Sequence, residues 1–397
     1  MATKAQMAKL DKLRVDMAKK FGDNAVMLAT DMPSLKVCHS GSLALDFALG
    51  AGGVPRNRMI ELIGEEGSGK TTLALLIIRQ LLLGDSSRHA VFIDMEHKLT
   101  TEWAEKLIGS EAMSRLLYFS PDSAEQATDM YVEAVGTGTI QAVIFDSIGG
   151  APTLASMEKS AEVGEYGGNA KAISRFSRIA ANFSAKYECL TIGVNQMRVD
   201  MSSGPGQKIN SPGGMAWRHA CIARIMLRRG REKFEDKING EIVTVGYDIK
   251  ARVFKNQMAA PGRVASWNFF NLESQYGPVG IDTTEECIRL SEMVGVVDVQ
   301  SGGYYAHAAL EGGRVRGRAR LRDAILADEK LKATIVSEVL AALSDDSSRI
   351  AEIAPITDID LDMDEQALTH QAVQDRTSEP DLVGAGMRRG LPDPEDH

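Results

Sequence analysis

Residues Met59 to Leu76 read M-I-E-L-I-G-E-E-G-S-G-K-T-T-L-A-L-L. An apolar run from Met59 to Ile63 is cut by a glycine-rich turn, and Leu73, Leu75, Leu76 and Ile77 follow at helical spacing. The stretch therefore predicts strand, loop, helix. Its loop, Gly64-Glu65-Glu66-Gly67-Ser68-Gly69-Lys70-Thr71, is the phosphate-binding pattern G-x-x-x-x-G-K-[ST]. Glycines let the backbone curl until successive N–H groups point inward, and a helix starting near Gly69 turns the positive end of its dipole toward a phosphate. Lys70 is then in reach of the β and γ phosphates, the Thr71 hydroxyl is placed for Mg²⁺, and Thr72 completes the candidate nucleotide-binding set.

Outward from this loop the chain alternates apolar runs with helical segments. Ala90-Val91-Phe92-Ile93-Asp94 ends in a carboxylate and is followed by Glu96. Ala142 to Asp146 also ends in aspartate, and Leu190 to Gln196 ends in an amide. Such alternation predicts a mainly parallel α/β sheet covered on both faces, with its ligand site at the C-terminal edge of the strands. Each strand end has a role in nucleotide hydrolysis: Asp146 to support Mg²⁺, Glu96 to orient the attacking water, Gln196 to sense the γ-phosphate.

Two glycine-containing polar stretches, Ser156 to Asn169 and Arg198 to Gly214, fall on the same edge, and long irregular segments in a compact domain are usually functional or disordered. Lys171, Arg175 and Arg178 follow the first at i, i+4 and i+7, a basic stripe on one helix face that suits a nucleic-acid backbone. Near the N-terminus Met7, Leu10, Leu13, Met17 and Phe21 recur at steps of three or four among lysines, which predicts an amphipathic helix over the first part of residues 1–35. Packing on its own domain and docking on a neighbouring subunit are both open to it.

The remaining composition narrows the class. No apolar run approaches the roughly 20 residues of a membrane span, the first residues lack a signal-peptide core, and four scattered cysteines form no C-x-x-C pair. The expectation is a cytoplasmic protein with no membrane partner. The net charge of −9 is unevenly spread: residues 344–397 carry fourteen Asp and Glu against four Arg, while residues 1–343 carry 41 Lys+Arg against 40 Asp+Glu. The reading is a core over 36–273, a small C-terminal α+β domain over 274–343 bearing five arginines between Arg314 and Arg322, and an acidic, disordered tail over 344–397.

Taken in order, G-S-L-A-L-D-F-A-L-G-A-G-G-V-P at 41–55, the phosphate loop, F-I-D-M-E-H-K-L at 92–99, V-I-F-D-S at 143–147, V-N-Q-M-R at 194–198, P-G-G-M-A at 212–216 and V-F-K-N-Q-M-A-A-P at 253–261 resemble the bacterial RecA recombinase family. The resemblance implies a P-loop core and an ATP- and Mg²⁺-dependent DNA-dependent ATPase. It implies a helical homo-oligomeric filament on single-stranded DNA that pairs this strand with homologous double-stranded DNA and exchanges strands, in DNA repair and the SOS response. Carried over by position, Trp103 stacks on adenine, and residues 157–168 and 198–212 are DNA-binding loops. Lys171, Arg178, Arg198, Met201, Lys208, Gly213 and Gly214 then contact DNA, the N-terminal helix docks on the adjacent protomer, and the C-terminal domain collects duplex. Lys255 reaches a neighbour's ATP site; where the family has a second lysine, this chain has Gln257, and Thr100 replaces the acidic residue usual near adenine. A hexameric helicase and a single-strand-coating filament with weak hydrolysis are the alternatives.

Overall fold

The computed structural model describes residues 4–22, 26–31, 35–158, 168–199 and 209–345. Its centre is a nine-stranded sheet: β1 (Met59–Gly64), β2 (His89–Asp94), β3 (Leu116–Phe119), β4 (Ile140–Asp146), β5 (Leu190–Gln196), β6 (Ala223–Ile238), β7 (Glu241–Asn256), β8 (Val264–Phe270) and β9 (Gly280–Ile281). Their spatial order is β9-β8-β7-β6-β1-β5-β4-β2-β3. The six strands from β6 to β3 run parallel, and β6 to β9 pair antiparallel. The α/β class and mainly parallel sheet are as the strand-end pattern predicts. The antiparallel half lies beyond that pattern; its signal is Asn239-Gly240, both at positive φ, which turns β6 into β7.

Helices cover both faces because the central strands are mostly apolar and buried along nearly their whole length. Ile60, Leu62 and Phe92 face a core shared with α2 (Leu43–Leu49), α3 (Lys70–Gly84) and α4 (Thr101–Met113). The alternate residues Met59, Val91, Ile93 and Phe145 face a second core with α5 (Ala124–Gly136), α7 (Gly168–Tyr187) and α8 (Gly214–Ala220); the short α6 (Leu154–Glu158) precedes α7. Period-two geometry thus sends neighbouring residues to opposite layers. Gly193 on β5 is required for close approach, since a Cβ there would fall 2.1 Å from Cζ2 of the buried Trp217 on α8.

At the periphery, α1 (Lys4–Phe21) keeps its predicted stripe in solvent: Met7 is 51% and Phe21 62% exposed. Toward the C-terminus come α9 (Thr283–Val294), α10 (Arg318–Ala327) and α11 (Glu329–Asp345), with a three-stranded antiparallel sheet between α9 and α10. The expected α+β content of this segment is therefore present. It is fastened to the core by Glu286 of α9, a fully buried carboxyl that accepts from the Ser42 hydroxyl at 2.5 Å and the Leu43 amide at 3.3 Å, at the start of α2.

Burial pushes the Glu286 carboxyl up to about 7, against these hydrogen bonds. A raised acid pKa means that the folded chain holds a proton the unfolded chain has released, so stability falls as pH rises from about 4.5 to about 7, by roughly 3 kcal/mol in all. Thermal melts of Glu286→Gln are expected to lose that part of the pH slope; a slope identical to wild type overturns the assignment.

Candidate active site

The strand ends lie side by side. Gly64 pairs with Gln196, and Asp94 pairs with Asp146, which lies opposite Val194, so β1, β5, β4 and β2 deliver their terminal polar groups to one edge of the sheet. The edge opens into a cleft of about 280 Å³ lined by Lys70, Thr71, Glu96, Trp103, Asp146 and Gln196 among others. Gly67 and Gly69 take φ of +72° and +89°, the left-handed region that glycine favours, and Gly69 caps α3. Gly64 has no room for a side chain either: a Cβ would come within 2.5 Å of Ser68 Oγ. Glu65 and Glu66 are exposed on the loop.

Lys70 is buried and donates to the carbonyls of Gly64 at 3.0 Å and Glu65 at 2.5 Å. Burial lowers its pKa, and the carboxylates of Asp146 and Glu96 oppose that shift. Thr71 Oγ1 donates to Asp146 Oδ2 at 2.5 Å. Burial pushes Asp146 up to about 6, with Glu96 and Asp94 adding to the effect and the Thr71 hydrogen bond resisting it. Two features fit a phosphate and its metal: Ser68 Oγ is buried with no partner, and the hydroxyl and carboxylate of Thr71 and Asp146 are hard oxygen donors of the kind Mg²⁺ takes.

Glu96 is organised from all sides. Asp94, nearly fully buried, accepts the backbone N–H groups of Glu96, His97, Lys98 and Leu99 at 2.7 to 3.1 Å, folding the turn that aims Glu96 into the cleft. Ser147 Oγ and Gln196 Nε2 donate to Glu96 Oε1 at 2.5 and 3.3 Å, and Lys98 Nζ lies 2.9 Å from Oε2. Burial alone would raise the Glu96 carboxyl; the donors Ser147, Lys98 and Gln196 outweigh it and hold the group below its ordinary value. Trp103, half-buried, stands in the first turn of α4, whose N-cap Thr100 accepts the Trp103 amide at 3.4 Å.

Lys255 is the one candidate catalytic residue that stands outside the cleft. It pairs with Arg224, which lies opposite Glu61, three residues down β1 from Gly64, and its Nζ caps α8 through the carbonyls of Arg218 at 2.8 Å and His219 at 3.1 Å.

The candidate DNA-binding residues form a separate group. Lys171, Arg175 and Arg178 are exposed along α7. Arg198–Val199 pairs antiparallel with Ile209–Asn210, making a stem that begins two residues after Gln196. Gly213 and Gly214 take positive φ where α8 starts. Met201 and Lys208, most of residues 157–168, and the tail from 346 lie outside the described residues. Of the five C-terminal arginines, Arg318 is bound to Glu292 and Glu285, and Arg322 to Asp282 and the Tyr276 carbonyl. These two staple α10 to α9, and Arg314, Arg316 and Arg320 remain exposed, the first two beside the Tyr304 ring. A basic patch over this segment therefore consists of three arginines.

Sequence spacing does not reveal a buried network behind the cleft. Glu61, wholly buried in β1, accepts from Arg224 Nε at 2.5 Å and from Asn195 Nδ2 at 2.7 Å; Asn195 also donates to the Pro212 carbonyl at 2.9 Å, and Arg224 to Ser211 Oγ at 2.8 Å. It ties the phosphate-loop strand to Ser211 and Pro212 at the far end of the segment 198–212, and to Asn195, three residues before its start. A glutamate inside the apolar run of β1 is the available signal, and its partners are 134 and 163 residues away. Lys98 and Ser147 also escape notice, although each is within two residues of a candidate. A further basic surface on β6 and β7 carries Arg228, Lys250 and Arg252, where Nε and Nη1 of Arg228 and Nε of Arg252 are buried without partners.

Comparison with known proteins agrees with this architecture. A family profile described as the RecA N-terminal domain matches residues 8–274. Proteins named Protein RecA are similar over most of the chain. The one from Thermus thermophilus is 31% identical over 324 residues, covering 81% of this chain and 90% of the relative. That from Allochromatium vinosum is 33% identical over 311 residues, covering 77% and 84%, and that from Azospirillum lipoferum 30% identical over 343 residues, covering 83% and 91%.

Proposed function

The chain belongs to the RecA family, and from that membership we propose that it is an ATP-dependent homologous recombinase, which coats single-stranded DNA as a helical filament and exchanges it with homologous duplex. The observation that carries this reading is the position of Gln196. Its amide reaches Glu96 in the cleft at 3.3 Å, and the stem of the second candidate DNA loop starts two residues later. A change at the terminal phosphate would thus act on the root of a DNA-contacting segment across one intervening residue, Met197.

In this proposal the curled loop and Lys70 hold the phosphates of ATP, with Trp103 against the base. Thr71 and Asp146 would hold Mg²⁺, which supplies charge neutralisation at the phosphate oxygens. Glu96, kept ionised by its donors, takes a proton from water; the water oxygen attacks the γ-phosphorus, the bond to the bridging oxygen breaks, and ADP and phosphate leave. The grip of the two candidate DNA-binding loops, 157–168 and 198–212, on DNA then depends on which nucleotide is bound. Lys171, Arg178, Arg198, Met201, Lys208, Gly213 and Gly214 are the DNA-contacting set, and the exposed stripe of α1 is the docking face for a neighbouring protomer. Lys255 approaches that neighbour's nucleotide. Arg314, Arg316 and Arg320 collect duplex in competition with the acidic tail. A cytoplasmic site of action follows from this role, and among the described residues no helix is long and apolar enough to cross a membrane.

The test is a strand-exchange assay with homologous and non-homologous duplexes, run with ATP, a slowly hydrolysed analogue and no nucleotide. Joint molecules are expected only with the homologous duplex and a triphosphate. Equal coating of the strand without nucleotide, or no exchange at all, overturns the proposal. A second reading, a strand-coating filament that hydrolyses poorly, is favoured by the exposed Gln257 at a position where the family pattern places a cation. Exchange without turnover would select it, and unwinding of non-homologous duplex would select a helicase.

A further inference from the structure

Among the described residues lining the cleft, two ammonium groups face four carboxylates: Lys70 and Lys98 against Glu66, Asp94, Glu96 and Asp146. The two lysines are held differently. Lys70 is buried and tied to carbonyls of its own loop. Lys98 has a fixed root and a free tip. Its amide is bonded to Asp94 Oδ2 at 3.1 Å, but its side chain is 65% exposed and its ammonium spans Glu96 at 2.9 Å and Glu66 at 4.0 Å. The Glu96 side of the pair is largely buried, but the lysine end is open to solvent, where ion pairing is weak and the ammonium can exchange partners.

The contact with Glu96 has a chemical consequence. Ser147 and Gln196 occupy Oε1, so Oε2 is the oxygen left to engage water, and Lys98 covers it. In the ATP pose proposed above, with Trp103 against the base and Glu96 activating the attacking water, the last phosphate comes beside Glu96. Its oxygens carry more charge than one carboxylate and compete for the ammonium.

We infer that Lys98 is a second cationic arm of the nucleotide site, which rests on Glu96 in this structure and is drawn onto the third phosphate of a bound triphosphate. The move uncovers Glu96 Oε2 for the attacking water and puts a positive charge where negative charge grows in the transition state. A diphosphate offers the arm no oxygen, so Lys98 stays on Glu96. The residue then serves to distinguish triphosphate from diphosphate. This inference rests on the ATPase reading of the cleft.

The full-length chain is compared with Lys98→Ala and Lys98→Arg, measuring ATP turnover on single-stranded DNA and, separately, equilibrium binding of ATP and ADP with Mg²⁺. Lys98→Ala is expected to lower kcat by about tenfold or more and to weaken ATP binding while ADP binding stays near wild type. Lys98→Arg, which keeps the charge, should restore most of the preference for ATP. An unchanged ratio of ATP to ADP affinity in Lys98→Ala, or turnover as fast as wild type or faster, overturns the inference and leaves a surface ion pair. Absence of turnover in wild type would instead count against the ATPase reading, and the binding ratio would still decide the role of Lys98.

Discussion

Replacing Lys70 with alanine is expected to reduce DNA-stimulated phosphate release at least a hundredfold, about the loss seen when one preorganised charge is removed from a transition state. The size follows from where Lys70 sits. It is the buried cation of the loop, its ammonium already aimed by the carbonyls of Gly64 and Glu65, so it needs no reorganisation when charge develops on the phosphates. Its loss should leave the fold standing, because the buried side chain is bonded only within its own loop and the surrounding core is apolar. Phosphate release measured beside a thermal melt separates the two effects. Normal turnover in Lys70→Ala would remove the loop from the mechanism.

The second large effect is expected behind the cleft. Arg224→Met strands the Glu61 carboxylate among apolar neighbours, and breaking a buried pair in this way typically costs about 3–5 kcal/mol. Glu61→Leu combined with Arg224→Met removes both charges and should recover much of that loss, since well-packed apolar replacements of a buried pair are often near neutral. The double variant still lacks the bonds from Arg224 to Ser211 and from Asn195 to Glu61, which hold the second loop's root to the nucleotide strand. It should therefore fold and bind nucleotide yet respond poorly to DNA. Denaturant titration and ATPase assays with and without single-stranded DNA test both parts. If Arg224→Met lies within 1 kcal/mol of wild type, the network carries little energy; full DNA stimulation in the double variant would refute the coupling.

What was legible in the sequence was what depends on neighbours along the chain. The phosphate loop, the apolar strands with Asp94, Asp146 and Gln196 at their ends, and the stripe of α1 are all written in spacing, because a strand repeats every two residues and a helix every 3.6. Glu96 could be placed in the cleft by its position just after a strand, whereas Trp103 was reached only through the family resemblance. Lys98 escaped because its role depends on a lysine reaching back to a residue two positions earlier, a contact no periodicity marks. Arg318 and Arg322 resembled their neighbours in composition, yet they are consumed by Glu285, Glu292 and Asp282, carboxylates 26 to 40 residues away in the chain. Long-range pairing of this kind is decided by packing, and local pattern is silent on it.

The missing side chain at position 193 shapes how defects in this protein will be interpreted. Trp217 fills that gap, and the helix it belongs to begins at the glycines that close the second loop. One added methyl group would push on Trp217, lift the helix and shift Gly213 and Gly214 at its start, although position 193 itself lies inside the sheet, away from every proposed DNA contact. A genetic screen for loss of DNA affinity would recover such a lesion and score it as a contact residue. The interior of a sheet would then be mistaken for its surface.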